Sequence, residues 1–172
     1  MACSNITGGF TLDCNNSNGG IDKIFIANGK VESITEANGT ISAITVAGSA
    51  LTPSDFFIFE TPRQTSSFVE TINVSQENGT VYYDQALTCI FNKLEASKRN
   101  EVLLMAQATD MVVVFKDNNG KLFSVGIEKG AFMSAGTANT GVAYGDRSGY
   151  ELTITGMESS PAFEVDSAIV EA

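Results

Sequence analysis

The sequence predicts a mainly β protein, a sandwich or barrel-like arrangement with one flanking α-helix and one long β-hairpin. Asn-Gly pairs at four places stand between β-rich stretches, and this dipeptide supplies the positive φ angles of tight hairpin turns. Apolar and polar residues alternate along the longest of these stretches. One stretch without Gly or Pro has the composition of a helix. These three observations favour a β-meander covered by one helix.

The amino-acid composition excludes several classes of function. The chain has 172 residues, 43% of them hydrophobic, which fits one globular domain over 1–172. It has no His, which excludes Ser-His-Asp and Cys-His catalysis and any His-ligated metal. Ten basic against twenty acidic residues give a net charge of −10, which argues against a nucleic-acid grip. No nucleophile with a base partner stands out, so we predict no enzyme, catalytic residue or cofactor; an acid pair meeting in space stays open.

Residues 1–20 are rich in Asn, Ser and Gly and are expected to form an N-terminal arm. From their composition we expect neither a signal peptide nor a membrane span. Cys3 and Cys14 could pair or share a metal, but their spacing matches no known ligand pattern, so we expect reduced thiols, as for Cys89. The stretch 13–20 resembles a calcium loop superficially but lacks the closing Glu. We therefore predict no metal site.

Four hairpins are expected along the chain. Asn28-Gly29, Asn38-Gly39 and Asn119-Gly120 each separate short β-rich runs. The fourth, over 63–92, turns at Asn78-Gly79 and has arms of about 12–14 residues, against a usual strand length of ~5–6. A ribbon of that length is not stable alone, and its edges invite pairing with another chain.

The two arms of this hairpin are expected to have one polar and one packed face. On the second arm, one face is expected to carry Asp84, Ala86, Thr88 and Asn92, and the other Val81, Tyr83, Leu87, Cys89 and Phe91. The other arm places polar residues from Thr71 to Glu77 opposite Phe68, Ile72 and Val74, although Glu70 shares the parity of the apolar set. A helix is predicted over 94–108, with Leu94, Val102, Met105 and Ala106 on its packed side.

The last quarter of the chain is predicted as a small-residue loop over 130–141, a strand over 149–156 and a short strand over 161–165. In 149–156, Tyr150, Leu152 and Ile154 alternate with Glu151, Thr153 and Thr155. The acidic segment 166–172 is expected to be a C-terminal arm or frayed end.

Several segments together resemble the major tail tube proteins of tailed bacteriophages, especially those of phages of Bacteroidetes-like hosts. The segments are the opening Cys3–Cys14 with Gly20–Ile24, the hairpin with its Glu-Asn-Gly-Thr tip, the helix followed by Met111–Gly126, Thr140-Gly141, Tyr144–Gly156 and Pro161-Ala162. They cover most of the chain and are structural turns rather than catalytic signatures. Related folds occur in contractile injection systems.

The resemblance implies a virion structural protein of the phage tail, assembled in the host bacterial cytoplasm. Such subunits form hexameric rings that stack head-to-tail into a hollow tube, and strands of neighbouring subunits join into one barrel lining the channel. DNA transits the lumen without specific binding. The implied partners are further copies and other tail or baseplate proteins, with no membrane.

We therefore expect a set of hairpin residues to lie on or near the lumen or the ring contacts. They are Glu70, Thr71, Asn73, Ser75, Glu77, Asp84, Thr88 and Asn92. An acidic, small-residue lumen would repel DNA rather than hold it, because duplex DNA carries about one charge per 1.7 Å.

Two other interpretations remain open at the level of sequence. The first is another phage structural protein, either a capsid decoration protein or a baseplate hub subunit, which use similar β-sandwiches. The second is a lectin-like module, against which the absence of Trp argues.

Overall fold

The computed structural model describes residues 6–171, which form a mainly β fold of two sheets and one main helix, with no closed barrel. Strands account for 49% of the chain and helices for 11%. The strands are β1 Ile21–Asn28, β2 Val31–Ala37, β3 Thr40–Val46, β4 Ser49–Ala50, β5 Phe57–Glu60, β6 Ser67–Ser75, β7 Thr80–Asn92, β8 Met111–Asp117, β9 Leu122–Val125, β10 Phe132–Asn139, β11 Gly149–Glu158 and β12 Glu164–Val165. The α-helices are α1 Ala96–Gln107 and α2 Ser167–Val170, and a short 3-10 helix covers Pro53–Asp55.

The larger sheet has eight strands in the order β2-β3-β12-β9-β8-β1-β5, with β4 paired to β3. Its centre is buried on both faces, because every residue of Ile24–Ala27 and of Met111–Phe115 is inaccessible to solvent. A continuous apolar run, rather than an alternating one, is the sequence pattern of such a strand.

Two separate cores lie on the two faces of this sheet. On one face, Ile24, Val113 and Phe115 pack against Leu87 and Leu152 of the smaller sheet. On the other face, a second set packs around the β2–β4 part of the sheet and α2: Phe25, Ile41, Ile44, Val112, Val114, Ile169 and Val170.

The smaller sheet has four antiparallel strands in the order β10-β11-β7-β6. Two glycines meet where β11 of this sheet passes the residue that follows β9 of the larger sheet. A Cβ added to Gly156 would lie 2.6 Å from the Cα of Gly126. Only glycine fits at such a contact, so this pair sets the spacing of the two sheets.

Three of the four predicted Asn-Gly hairpins are confirmed. Asn38 and Gly39 have φ angles of 54° and 82° and join β2 to β3, as a two-residue turn with two positive φ angles requires. The turns at Asn78-Gly79 and Asn119-Gly120 join β6 to β7 and β8 to β9. The prediction at Asn28-Gly29 is wrong, because β1 pairs with β5 and β8 instead of β2.

The predicted helix and long hairpin are present with shorter bounds. Helix α1 lies inside the predicted 94–108; Met105 is buried and Val102 half-buried, but Leu94 and Ala106 are exposed. In the hairpin, β7 has 13 residues but β6 only 9. The expected arm length therefore holds for one arm alone.

Two predictions about the last quarter of the chain are wrong. The stretch 130–141, expected as a loop, contains β10. Its side chains are small, and the strand is held by backbone hydrogen bonds to β11. The segment 166–171, expected as an arm, is docked: Asp166 caps α2, Ile169 and Val170 are buried, and Glu171 bonds Lys116 at 2.8 Å. The short strand expected over 161–165 reduces to β12.

The N-terminal segment is an exposed arm over the residues that the structure describes. Residues 6–20 are all exposed, including the apolar Ile6, Phe10 and Leu12. Only its base is held, because the Asn119 side chain bonds the backbone of Asn18 through both its oxygen and its nitrogen. Cys3 and the rest of Met1–Asn5 lie outside the described residues.

Candidate functional site

The outward face of the four-stranded sheet is the surface on which the predicted residues converge. Directly opposed residues of antiparallel strands point to the same side of a sheet. Thr71 is opposite Asp84, Asn73 is opposite Tyr82, and Ser67 is opposite Thr88. Every second residue of β6 and β7 therefore lies on the face turned away from the core.

Six of the eight predicted residues lie on this face: Thr71, Asn73, Ser75, Asp84, Thr88 and Asn92. Glu77 is exposed in the turn between β6 and β7. Glu70 differs, because its side chain is on the opposite face and half-buried. The structure thus gathers the polar set on one surface and separates Glu70 from it.

Sequence reasoning did not assign the residues that β10 and β11 add to this face. The register of the sheet adds Glu151, Thr153 and Thr155 from β11 and Thr137 and Asn139 from β10. The alternation of β11 was visible in the sequence, but nothing local indicated that β11 lies beside β7. The enlarged face consists mainly of hydroxyl and amide groups.

Charge on this face is sparse and acidic. Among the strand residues that the structure describes here, the charged ones are Asp84 and Glu151, with no Lys or Arg. Glu151 accepts a hydrogen bond from Arg147, which precedes β11, at 2.9 Å. The surface offers water many hydrogen-bonding partners, but its strands carry no basic side chain to attract an anion such as the DNA backbone.

Glu70 belongs to a structural network between the sheets. The buried Gln85 side chain donates to the Glu70 carboxylate at 2.8 Å and accepts from the Gly126 amide at 2.9 Å. The same Glu70 oxygen accepts from the Ala162 amide at 2.8 Å. The oxygen and the nitrogen of the buried Gln85 side-chain amide therefore both have a partner, and Glu70 holds the segment between β11 and β12 against β6.

A second network holds the loop after β9 to the end of β11. The buried Glu158 carboxylate accepts from the backbone amides of Glu128 and Lys129 at 3.0 Å each. Burial raises the pKa of Glu158, against the effect of these two hydrogen bonds. Glu128 has the opposite shift, because hydrogen bonds from Ser159 and Ser160 lower its pKa.

Within residues 6–171, the outer strands of the four-stranded sheet, β6 and β10, each pair with a strand on one side only and leave their other edge free. Apolar side chains near β6 are also uncovered. Ile72, Val74 and Val81 lie on the core side of the sheet but extend past the larger sheet, and 61%, 64% and 52% of their surfaces are exposed. The expectation that this whole face packs is wrong for the end of the hairpin.

Three further observations on residues 6–171 concern a cavity, possible metal ligands and a buried thiol. A cavity of about 470 Å³ is lined by Asp22, Arg63, Lys116 and Asp117 among others, and its lysine is committed to Glu171. No group of three or more His, Cys, Asp or Glu in residues 6–171 has the geometry to hold a metal ion. Burial raises the pKa of the Cys89 thiol to about 12, so it stays protonated.

No helix within the described part of the chain is long and apolar enough to cross a membrane. Comparison of the sequence with known protein families found no family model that matches, and comparison with curated proteins found no match.

Proposed function

We propose that this protein is a non-enzymatic structural subunit that assembles into rings, which stack into a hollow tube for the passage of DNA. The observation that carries the proposal is the four-stranded sheet with two free edges and a polar, weakly acidic outward face. Open edges favour pairing with further copies, and closure into a barrel removes them. The resemblance to major tail tube proteins of phages supports the same function.

Strand direction is compatible with ring closure. Three antiparallel pairings separate β10 from β6, so the two edge strands run in opposite directions. Joining β6 of one copy to β10 of the next therefore continues an antiparallel sheet without interruption. Because each contact uses two different surfaces, it is heterologous, as a ring requires.

The size of the resulting barrel suits a conduit. Six copies of four strands give 6 × 4 = 24 strands. With a strand spacing of ~4.8 Å and a tilt of ~35°, the backbone diameter is about 45 Å. Side chains of Thr, Ser and Asn would then line an aqueous channel, and Asp84 would repel the DNA backbone over about 8 Å at physiological salt.

The exposed arm offers a contact between rings. Ile6, Phe10 and Leu12 have no apolar cover in the single chain. Head-to-tail stacking of rings would bring such an arm against the next ring, where burial of apolar surface is favourable at about 25 cal/mol per Å².

Negative-stain electron microscopy of the concentrated full chain tests the proposal. We expect six-fold rings or hollow tubes. Compact trimers, or binding to preformed capsids without tubes, would instead favour the decoration interpretation and contradict ours.

A charge exchange then tests the lumen. We expect Glu77→Lys with Asp84→Lys to leave tubes intact but to make them retain linear duplex DNA in sedimentation assays. The matched Glu77→Gln with Asp84→Asn removes charge without reversing it and should retain far less DNA. Equal retention by both variants would argue that these residues do not face the channel.

A further inference from the structure

The two free edges of the four-stranded sheet are staggered along the strands. A row of directly opposed residues crosses the sheet, and each row can be identified by its β7 residue. Strand β6 occupies the rows from Thr80 to Thr88, whereas β10 occupies those from Ala86 to Asn92. The two edge strands therefore share only three rows, and the rest of each strand lies at opposite ends of the sheet.

This stagger determines how two copies can meet. If neighbouring copies joined without a shift, most of each edge would face no partner strand. A shift of four or six rows lets all seven rows of β10 face β6, whereas a shift of two rows leaves only five. Full pairing of both edges therefore needs a displaced neighbour.

The shift must also be an even number of rows. Side chains alternate between the faces, so an odd shift would turn core-facing residues of one copy toward the outward face of the next. Outward-pointing backbone groups alternate with the same period on β6 and on Ala135–Asn139 of β10, and the extra residue Ser134 interrupts this alternation before Ala135. Both requirements give the same parity, which leaves four and six as the candidates.

Strand tilt in a six-copy ring excludes a shift of two rows and places four and six rows at the lower and upper ends of the usual range for barrels. A shift of four rows per copy sums to 6 × 4 = 24 residues around 24 strands and gives a tilt of about 35°, within the usual range for barrels. A shift of six rows gives about 46°, at the upper limit of that range. A shift of two gives about 19°, far below it.

We propose that β6 of one copy pairs with β10 of the next at a shift of four rows, an inference that rests on the proposed function. This shift leaves only Val74 and Ser75, at the tip of the hairpin, outside the junction, whereas a shift of six rows leaves Ser67 and the core-packed Phe68 without a partner.

Over the regular part of β10, the outward-facing partners across the junction are Ser67 with Asn139, Val69 with Thr137 and Thr71 with Ala135. Beyond the extra residue Ser134, the exposed Ile72 lies near Met133, which packs on the core of the neighbour.

Paired cysteines test this register in the full chain. Thr71→Cys with Ala135→Cys, in a background with Cys3→Ser and Cys14→Ser, is oxidised in air with copper-phenanthroline at high protein concentration. A disulfide needs Cα atoms about 4.4–6.8 Å apart, which directly opposed residues satisfy and residues two rows apart do not. We expect a ladder of cross-linked species on a non-reducing gel, ending at the closed ring.

The matched control is Asn73→Cys with Ala135→Cys, which are opposed only at a shift of six rows. We expect it to form tubes but no ladder, like each single-cysteine variant. A ladder from this control instead, or rings that cross-link in neither variant, would overturn the register while leaving the proposed function intact. Chains that stay monomeric in micrographs and form no ladder would contradict both.

Discussion

The two sheets of this protein differ in how completely the single chain satisfies them. The central strands of the eight-stranded sheet are covered on both faces, one by the four-stranded sheet and the other by β2–β4 and α2. The four-stranded sheet is covered on one face only, and its hairpin extends past its partner. The central strands of the first sheet are therefore covered within the single chain, whereas the second sheet presents the surfaces that a neighbour can complete.

The largest effect is expected in the eight-stranded sheet. Phe25 is 1% exposed and packs in the core beside α2. Phe25→Ala should lower the free energy of unfolding by about 3–5 kcal/mol, because it removes buried surface and leaves a cavity. Urea denaturation of the monomer measures this. A loss below about 1 kcal/mol would mean that this core is not the main source of stability.

A smaller effect is expected where the two sheets meet. Gly156→Ala places a Cβ against Gly126, and the backbones must move apart at a cost of about 1–3 kcal/mol. Gly145→Ala is the matched control, because no atom lies within 4 Å of its added Cβ. Thermal unfolding should separate the two variants, and equal midpoints would argue against a tight contact between the sheets.

A third effect should appear in assembly and not in folding. Ile72→Lys puts a charge on the free strand β6, a substitution that blocks edge pairing, and should raise the concentration needed for rings by about tenfold or more. Thr35→Lys makes the same change on β2, the edge of the other sheet, and should have little effect. Sedimentation velocity measures both. Equal loss in the two variants would indicate a general charge effect.

The smallest effect is a pair of opposite pH dependences. The raised pKa of Glu158 means that the folded chain keeps a proton that the unfolded chain has lost, so its contribution to stability falls as pH rises above about 4.3. The stability of Glu158→Gln relative to the wild type should therefore be higher at pH 7 than at pH 4.

Glu128 provides the control of opposite sign. The pKa of Glu128 is lower in the folded chain than in the unfolded chain. Its contribution to stability is therefore present at pH values above the pKa of the unfolded chain, and it is lost as the pH falls through the pKa of the folded chain. Glu128→Gln should thus be more harmful at pH 7 than at pH 4. Melting temperatures across this range check both, and parallel profiles for the two variants would contradict the assignment.

Local features of the sequence were predictable, and long-range pairings were not. Asn38-Gly39 encodes its own turn, and the alternation of β7 encodes its two faces. Asn28-Gly29 failed because the partner of β1 is β8, more than eighty residues away in sequence. The small residues of Phe132–Asn139 do not favour a strand by themselves, and the segment becomes a strand because it pairs with β11.

The candidate surface was predictable only in part for the same reason. Parity along the hairpin placed Thr71, Asn73 and Asp84 on one face and flagged Glu70 as different. The contribution of Thr153 and Thr137 depended on knowing that β11 and β10 continue the sheet. The apolar side chains of Ile72 and Val74 look like core residues in sequence, because sequence does not encode where the covering sheet ends.

The even number of strands in the smaller sheet affects how many copies a ring can contain. Since its two edge strands run in opposite directions, any number of copies closes with a regular antiparallel junction. Ring stoichiometry is then set by curvature instead of connectivity. The register of β10 is irregular between Met133 and Ala135, directly at the joining edge, and such bulges bend and twist a strand. Deleting Ser134 would therefore alter the angle between adjacent copies and with it the number of subunits in the ring.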